Sequence, residues 1–539
     1  MTDSYEGRLE LTWTNKHLCL LEHDDGSYEW MEPSDYRVAE VRLLHDVTAV
    51  GSVGERRAAD NLLIRGDALR ALTSLAKLPE FAVAYHGKVK LAYLDPPFNA
   101  RRSFLEYEDN LEHSVWLTMM RDRLVQLKDL LAPDGSIYVH CDASEGHYLK
   151  VLIDEVFGRS NFRTAIIWKR TSAHSDAKTW SEVTDYILFY TRSASFTWNS
   201  PYMEYDERYV RSKYNSIDEH GRRYQLGDLT SPNPRPNLMY TWKGFPAPEF
   251  GWRYSRETMA SLDSEGRIWY PEDKSKRPRR KRYLDELKGR ILDNLWADIS
   301  PVNSQANEDT EFATQKPEKL LARIIDASTN PGDIVLDCFA GSGTTAAVAH
   351  KMGRRWVMVE RDAETVAKFA LPRLSKVLEG GGLNGATEQF DWSGGGGFRV
   401  LDVAPSMFEA DRGLVVLADW MANGTLAEAT AAQLGFEYAP EPPFAGRKGS
   451  SCLAVVDGVV NEAVVRLIVR ALPECELVII CGTALDPEAH PVLRDLRPGS
   501  TLRKIPAMLL QEYRTGRRRQ PAVSKQAPKS PDRQSTETK

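Results

Sequence analysis

A chain of 539 residues, 42% hydrophobic and 27% charged, has room for a sizeable core and several domains, which excludes a mainly disordered protein. No apolar run approaches the roughly 18–20 residues of a membrane span. The polar, acidic start does not read as a secretory leader, so a cytoplasmic protein without a membrane partner is expected. Six dispersed cysteines without a C-x-x-C pair imply neither a disulfide framework nor a bound metal, and the net charge of −6 matters less than its distribution.

Residues 1–60 hold short strand-like runs, such as 9–13, and no evident chemistry. From Asn61 strands and helices alternate, the mark of an α/β sheet. Residues 61–67 read as a strand ending in Gly66-Asp67. Residues 89–94 read as a buried strand ending in Asp95-Pro96-Pro97-Phe98. Trp116, Met120, Leu124, Leu127 and Leu131 recur at helical spacing, and Pro133-Asp134-Gly135 stops that helix. A strand at 136–140, a helix to about 157, and strands near 165–168 and 185–190 follow.

Between 196 and 296 the alternation breaks. This stretch has 17 aromatic residues in 101 positions, and from 201 to 290 there are 19 Lys/Arg against 14 Asp/Glu. A basic, aromatic-rich segment inside an acidic chain reads as an inserted module. The α/β pattern resumes with a helix face at Leu320, Leu321, Ile324 and Ile325, a strand at 333–338, a helix at 344–352 and a strand at 356–360. The expected organisation is an N-terminal strand-rich extension (1–60), two core halves (61–199 and 300–400) around an insert (200–299), a small α/β association region (401–512) and a disordered basic tail (513–539).

Residues 334–345 form a strand, a glycine turn and a helix start. Gly341 and Gly343 let a ligand approach the backbone where a Cβ would block it. The free N–H groups of the new helix then face that ligand. Glu360 ends the next strand, where a carboxylate can accept both hydroxyls of a ribose. The turn loosely matches a dinucleotide fingerprint. It also suits an ordinary tight turn, and the absence of a following Lys-Ser/Thr excludes a phosphate-binding P-loop. Only one clear strand follows it, so upstream strands have to complete the sheet. That arrangement is a circularly permuted, Rossmann-like fold with a mostly parallel sheet.

Asp95-Pro96-Pro97-Phe98 stands where open α/β sheets place ligands. The prolines fix φ and remove two N–H donors, leaving a rigid edge of acceptors, the Asp95 carboxylate and the Pro96 carbonyl. Phe98 adds a flat apolar face. Two acceptors beside a ring suit an exocyclic amino group on a nucleic-acid base. A plain proline turn is the alternative.

In this order, the two motifs resemble those of the amino-methylating DNA methyltransferases of the β class. Thr314-Gln315-Lys316-Pro317 and Gly66-Asp67 resemble further motifs of that family, and 9–13 and 395–399 are similar to modification subunits of type III restriction systems. The resemblance implies S-adenosylmethionine as cofactor and a flipped base in duplex DNA as substrate. It implies catalytic roles for Asp95, Pro96, Pro97 and Phe98. It places Phe339, Gly341, Gly343 and Thr344 around the methionine part of the cofactor, Glu360 on its ribose, Asp67 on its adenine side, Lys316 on its carboxylate and Asp337 near its amino group. Adenine N6 is the expected target, with N4 of cytosine as the alternative. A non-methylating nucleotide-binding protein or oxidoreductase is the more distant reading.

Within the insert, Lys274, Lys276, Arg277, Arg279, Arg280, Lys281 and Arg282 crowd nine positions. A solvated loop is one reading; contact with DNA phosphates is the expectation. No Walker motif or nuclease cluster is evident. A homodimer or a restriction or translocation partner is therefore expected, docking on 401–512.

Overall fold

The computed structural model describes residues 10–516, apart from 23–26, 100–101, 104–107, 110–111, 174–177, 274, 304–305, 307, 382–385, 412–413, 422–423 and 474–475. It resolves into two compact units, 200–293 and the remainder of the chain.

The larger unit is built on a ten-stranded sheet. In chain order its strands are β1 (Leu44–Gly51), β2 (Asn61–Arg65), β3 (Val89–Leu94), β4 (Leu131–Cys141), β5 (Phe162–Lys169), β6 (Thr184–Thr191), β7 (Leu295–Trp296), β8 (Ile334–Asp337), β9 (Arg355–Glu360) and β10 (Gly397–Val403). Their order across the sheet is β7-β5-β6-β4-β3-β8-β9-β2-β10-β1. The run from β4 to β10 is parallel, whereas β6 pairs antiparallel with β4 and β5, and β1 antiparallel with β10. The fold is therefore α/β around a mixed, mostly parallel sheet.

The central strands read as continuous apolar runs because both faces are covered. Leu91 and Tyr93 of β3 face one core, shared with Leu320, Leu321, Ile324 and Ile325; Ala92 and Leu94 face the other, shared with Trp116, Met120 and Leu124. These are the helical residues that the sequence spacing singles out. They lie on α4 (Glu318–Ser328) and α2 (His113–Leu130) respectively, while α1 (Ala68–Lys77), α3 (Gly146–Phe157) and α5 (Thr344–Lys351) complete the helices used below.

Several sequence expectations change. Glu10–Trp13 form no strand; the first paired strands are Cys19–Glu22 and Tyr28–Met31. The extension expected at 1–60 supplies β1, and β10 crosses the boundary expected at 400, so both belong to the main sheet. The helix α2 does stop at Leu130, just ahead of Pro133-Asp134-Gly135, but these residues form no loop: they lie inside β4, because the chain passes directly from α2 into the strand. The region 401–512 does form a five-stranded sheet with helices. Its Leu453, Cys481, Ile505 and Leu509, however, share a core with Leu43, Leu44 and Leu401, so it is not a separate body. Helix runs on to Gly516; the rest of the expected tail lies outside the described residues.

The smaller unit carries an antiparallel sheet of Ser216–Ile217, Arg223–Asp228, Arg279–Tyr283 and Ile268–Trp269. Its aromatic richness is spent on a core of its own, where Trp242, Phe245 and Trp252 pack with Leu229, Met259 and Ile268.

Candidate active site

The parallel strands β3, β8, β9 and β2 are neighbours in that order, so their C-terminal ends line up. In sequence these ends are scattered from Asp67 to Glu360. In space they border one cavity of about 1000 Å³. Of the residues expected at a site in this unit, all but Gly343 line it.

Asp95 leaves β3 with its two carboxylate oxygens in different settings. Oδ2 accepts from Lys316 Nζ at 2.5 Å. Oδ1 is buried and accepts no hydrogen bond among the described residues. Trp116 Nε1 donates to the Pro97 carbonyl at 2.7 Å, tying this rigid turn to α2. Phe98 packs its ring 5.4 Å from that of His140, with the Lys316 ammonium 5.2 Å from its centre.

At the end of β8 the chain turns through Gly341 (φ 51°) and Gly343 (φ 76°), left-handed values that glycine adopts without strain. A Cβ on Gly341 would meet the Phe312 ring at 3.1 Å. Gly343 faces Ala370 and begins α5, so it serves the turn rather than the cavity wall. Thr344 Oγ1 accepts from Arg373, whose guanidinium also reaches Glu318, and Glu318 in turn takes Lys351 at 2.8 Å. This buried charged cluster sits under the turn and fixes it from behind.

Two carboxylates border the turn. Asp337 accepts from Phe339 N–H at 2.9 Å and Thr345 Oγ1 at 2.6 Å. Burial nevertheless pushes it up to about 7, reinforced by the charges of Asp95 and Glu360. Glu360 accepts from the N–H groups of Gly341 and Asp362, and burial raises it too. Asp67 caps α1 through Arg70 N–H and takes Arg123 Nη2 at 2.6 Å.

The structure thus unites Asp67, Asp95, Asp337, Phe339, Gly341, Thr344 and Glu360, and it sets Lys316 against Asp95. It also brings in residues the sequence reading passed over: Arg123, Phe312, His140, Trp168 and Asp185. Arg123 carried a signal, being a charge at the i+3 position from Met120 on an otherwise apolar helix face. His140 carried another, at the C-terminal end of a buried strand. Phe312 lies in an irregular segment with no periodicity to mark it.

From Arg279 on, the basic run is a strand rather than a loop. Arg279 and Arg282 are exposed, whereas Arg280 Nη1 donates to Tyr254 Oη and Lys281 lies over the Tyr224 ring. Lys276 and Arg277 precede the strand and are exposed; Lys274 lies outside the described residues.

A family model described as DNA methylase matches residues 89–370. The chain is 34% identical over 299 residues to the type II methyltransferase M.EcaI of Enterobacter cloacae, covering 53% of this chain and 66% of that protein. It is 30% identical over 434 residues to the probable type III restriction-modification enzyme HindVI Mod subunit of Haemophilus influenzae, covering 66% of this chain and 56% of the relative. It is 27% identical over 315 residues to the DNA adenine methyltransferase YhdJ of Escherichia coli, covering 58% and 82%. The chain thus spans somewhat less than two thirds of the first two relatives.

Proposed function

This chain belongs to the DNA methylase family, and on that premise we propose that it transfers a methyl group from S-adenosylmethionine to the N6 amino group of adenine in duplex DNA. The observation that carries the reading is the Asp95 carboxylate. It is held rigidly at a strand end beside the glycine-turn cavity, one buried oxygen without a partner among the described residues.

The cavity residues fit the cofactor. At Gly341 the missing side chain leaves room for the Phe312 ring, which lines the cavity beside it. Asp337 is a buried acceptor suited to an ammonium group, Glu360 has lone pairs left for ribose hydroxyls, and Asp67 borders the adenine side. When bound, S-adenosylmethionine supplies a methyl group on a sulfonium. The amino nitrogen of adenine is a poor nucleophile because its lone pair is delocalised into the ring. Asp95 Oδ1 and the Pro96 carbonyl accept its N–H bonds, which favours a tetrahedral nitrogen and in-line attack. Phe98 stacks on the extruded base. This chemistry needs no covalent intermediate on the chain.

Catalytic motif before cofactor motif makes the fold a circular permutation, with 200–293 as the DNA-recognition module and its exposed arginines on phosphates. Two of the relatives are named for restriction–modification or adenine methylation. Those names support a role as the modification component of such a system, either as a homodimer or with a restriction or translocation subunit. The same two acceptors would also serve N4 of cytosine, the second reading. Incubating the purified chain with methyl-labelled S-adenosylmethionine and genomic DNA tests the proposal: label should become acid-precipitable with the DNA, and a DNA that stays unlabelled refutes it.

A further inference from the structure

Behind Asp95 lies a buried polar chain that the reaction as described leaves unused. His140, at the end of β4, has no exposed surface. Its Nδ1 is 2.9 Å from the Tyr93 hydroxyl and 3.9 Å from Asp95 Oδ1, the oxygen without a partner among the described residues. Its Nε2 is 3.1 Å from Asp185 Oδ2. Asp185 is fully buried as well, and its other oxygen is 3.2 Å from Arg170 Nε, whose side chain reaches solvent. The Phe98 and Trp168 rings wall the imidazole on two sides.

We infer that His140 is a positioning residue that draws the departing proton of the target amino group through Asp95. The inference rests on the methyl-transfer reading and deepens it. As the N–C bond forms and the S–C bond breaks, the amino nitrogen becomes cationic. Its N–H bond breaks toward Asp95 Oδ1, the electron pair returning to the nitrogen, and the proton passes on to His140 Nδ1. The resulting imidazolium lies between two carboxylates, Asp95 and Asp185, and returns its proton through Asp95 to water in the emptied cavity when product leaves.

The surroundings favour this direction of transfer. A neutral imidazole can donate to only one of the two acids, whereas a protonated ring carries an N–H toward each. Burial alone would raise Asp185, yet the His140 bond and the Arg170 and Lys316 charges hold it below the usual carboxylate range, so it stays an anion. Tyr93 is pushed well above a normal phenol by burial and by Asp95, Asp337 and Asp185. It therefore remains a neutral hydroxyl that can turn from donor to acceptor as Nδ1 gains its proton.

The test is single-turnover methyl transfer across pH 5.5–9, with cofactor and DNA affinities and melting temperatures measured on the same proteins. His140→Gln keeps hydrogen bonding but accepts no proton. At saturating cofactor, where Asp337 no longer shapes the profile through binding, its transfer should fall on the order of 100-fold, within the range for a lost general base, with affinities and melting temperature nearly unchanged and the wild-type pH inflection gone. His140→Ala opens a hole beside the cavity, and added imidazole should restore part of its rate. A wild-type rate and pH profile in His140→Gln would overturn the inference. So would a loss matched by lost affinity or melting temperature and unrescued by imidazole. A wild-type chain that methylates no duplex strikes the functional reading itself, and is recognised before any variant is made.

Discussion

Lys316 and Asp95 stand 221 residues apart in the chain, and the ammonium of one rests 2.5 Å from the carboxylate of the other. The pairing joins the segment before α4 to the end of β3. It also divides the carboxylate, since one oxygen is anchored while the other accepts no hydrogen bond among the described residues. Lys316 is thus placed to orient Asp95, whereas the sequence resemblance set it on the cofactor carboxylate.

Lys316→Met should therefore lower transfer by roughly 100-fold, the lower end of the range for losing a preorganised donor at a reacting centre, and change cofactor affinity by less than a few fold. Asp95→Ala should abolish transfer and also spare the cofactor. The double variant should be no worse than Asp95→Ala, because the two side chains act as one unit. Calorimetry with S-adenosylmethionine checks this: a tenfold or greater loss of affinity in Lys316→Met would return Lys316 to the cofactor.

Gly341→Val should do the reverse and remove cofactor binding. Its φ of 51° is strained for any side chain, and the new Cβ would press on Phe312. Equilibrium dialysis with labelled cofactor should detect no binding while far-ultraviolet circular dichroism stays native.

Asp337 gives the site a pH dependence. Burial raises it to about 7, so near neutrality a fraction of the free protein carries it protonated. An ammonium ligand needs the carboxylate. Cofactor affinity should therefore rise as pH goes from 6 to 8, by at most about tenfold per unit, with release of up to one proton on binding. Calorimetry in buffers of different ionisation enthalpy measures that release, and Asp337→Asn should abolish it. The sign for stability is opposite. A carboxyl raised above its unfolded value favours the fold at low pH, and that contribution is lost as pH rises through about 7.

The strand Arg279–Tyr283 should act through phosphates. Neutralising the exposed Arg279 and Arg282 should weaken binding to every duplex and reduce the slope of log K against log salt by about 0.9 for each phosphate no longer neutralised. Unchanged salt dependence with an altered preferred sequence would put these side chains in a groove. Arg280 and Lys281, engaged with Tyr254 and Tyr224, should cost the module stability as well.

Much of this arrangement was legible before the fold. The strand ends Asp95 and Glu360 announce themselves because buried strands show as apolar runs, and the residue at the C-terminal end of such a run faces a ligand; Asp67 and Asp337 come only with the family resemblance. Less legible were the edges. Strand β1 is exposed along most of its length and lies far in sequence from its partner β10, so neither reads as part of the main sheet, and the boundary expected at 400 cuts through β10. Least legible were partners made only by packing. The approach of Lys316 to Asp95, and of His140 to Asp185, depends on the strand order β5-β6-β4-β3-β8, which local periodicity does not encode.

On the proposed function, the amino group held at Asp95 belongs to adenine in DNA. The most direct measurement is to methylate duplex DNA with the purified chain, digest it to nucleosides and identify the methylated nucleoside by mass spectrometry. N6-methyladenine is the expected product. N4-methylcytosine alone would contradict the base assignment, and the absence of any methylated nucleoside would contradict methyl transfer to DNA altogether.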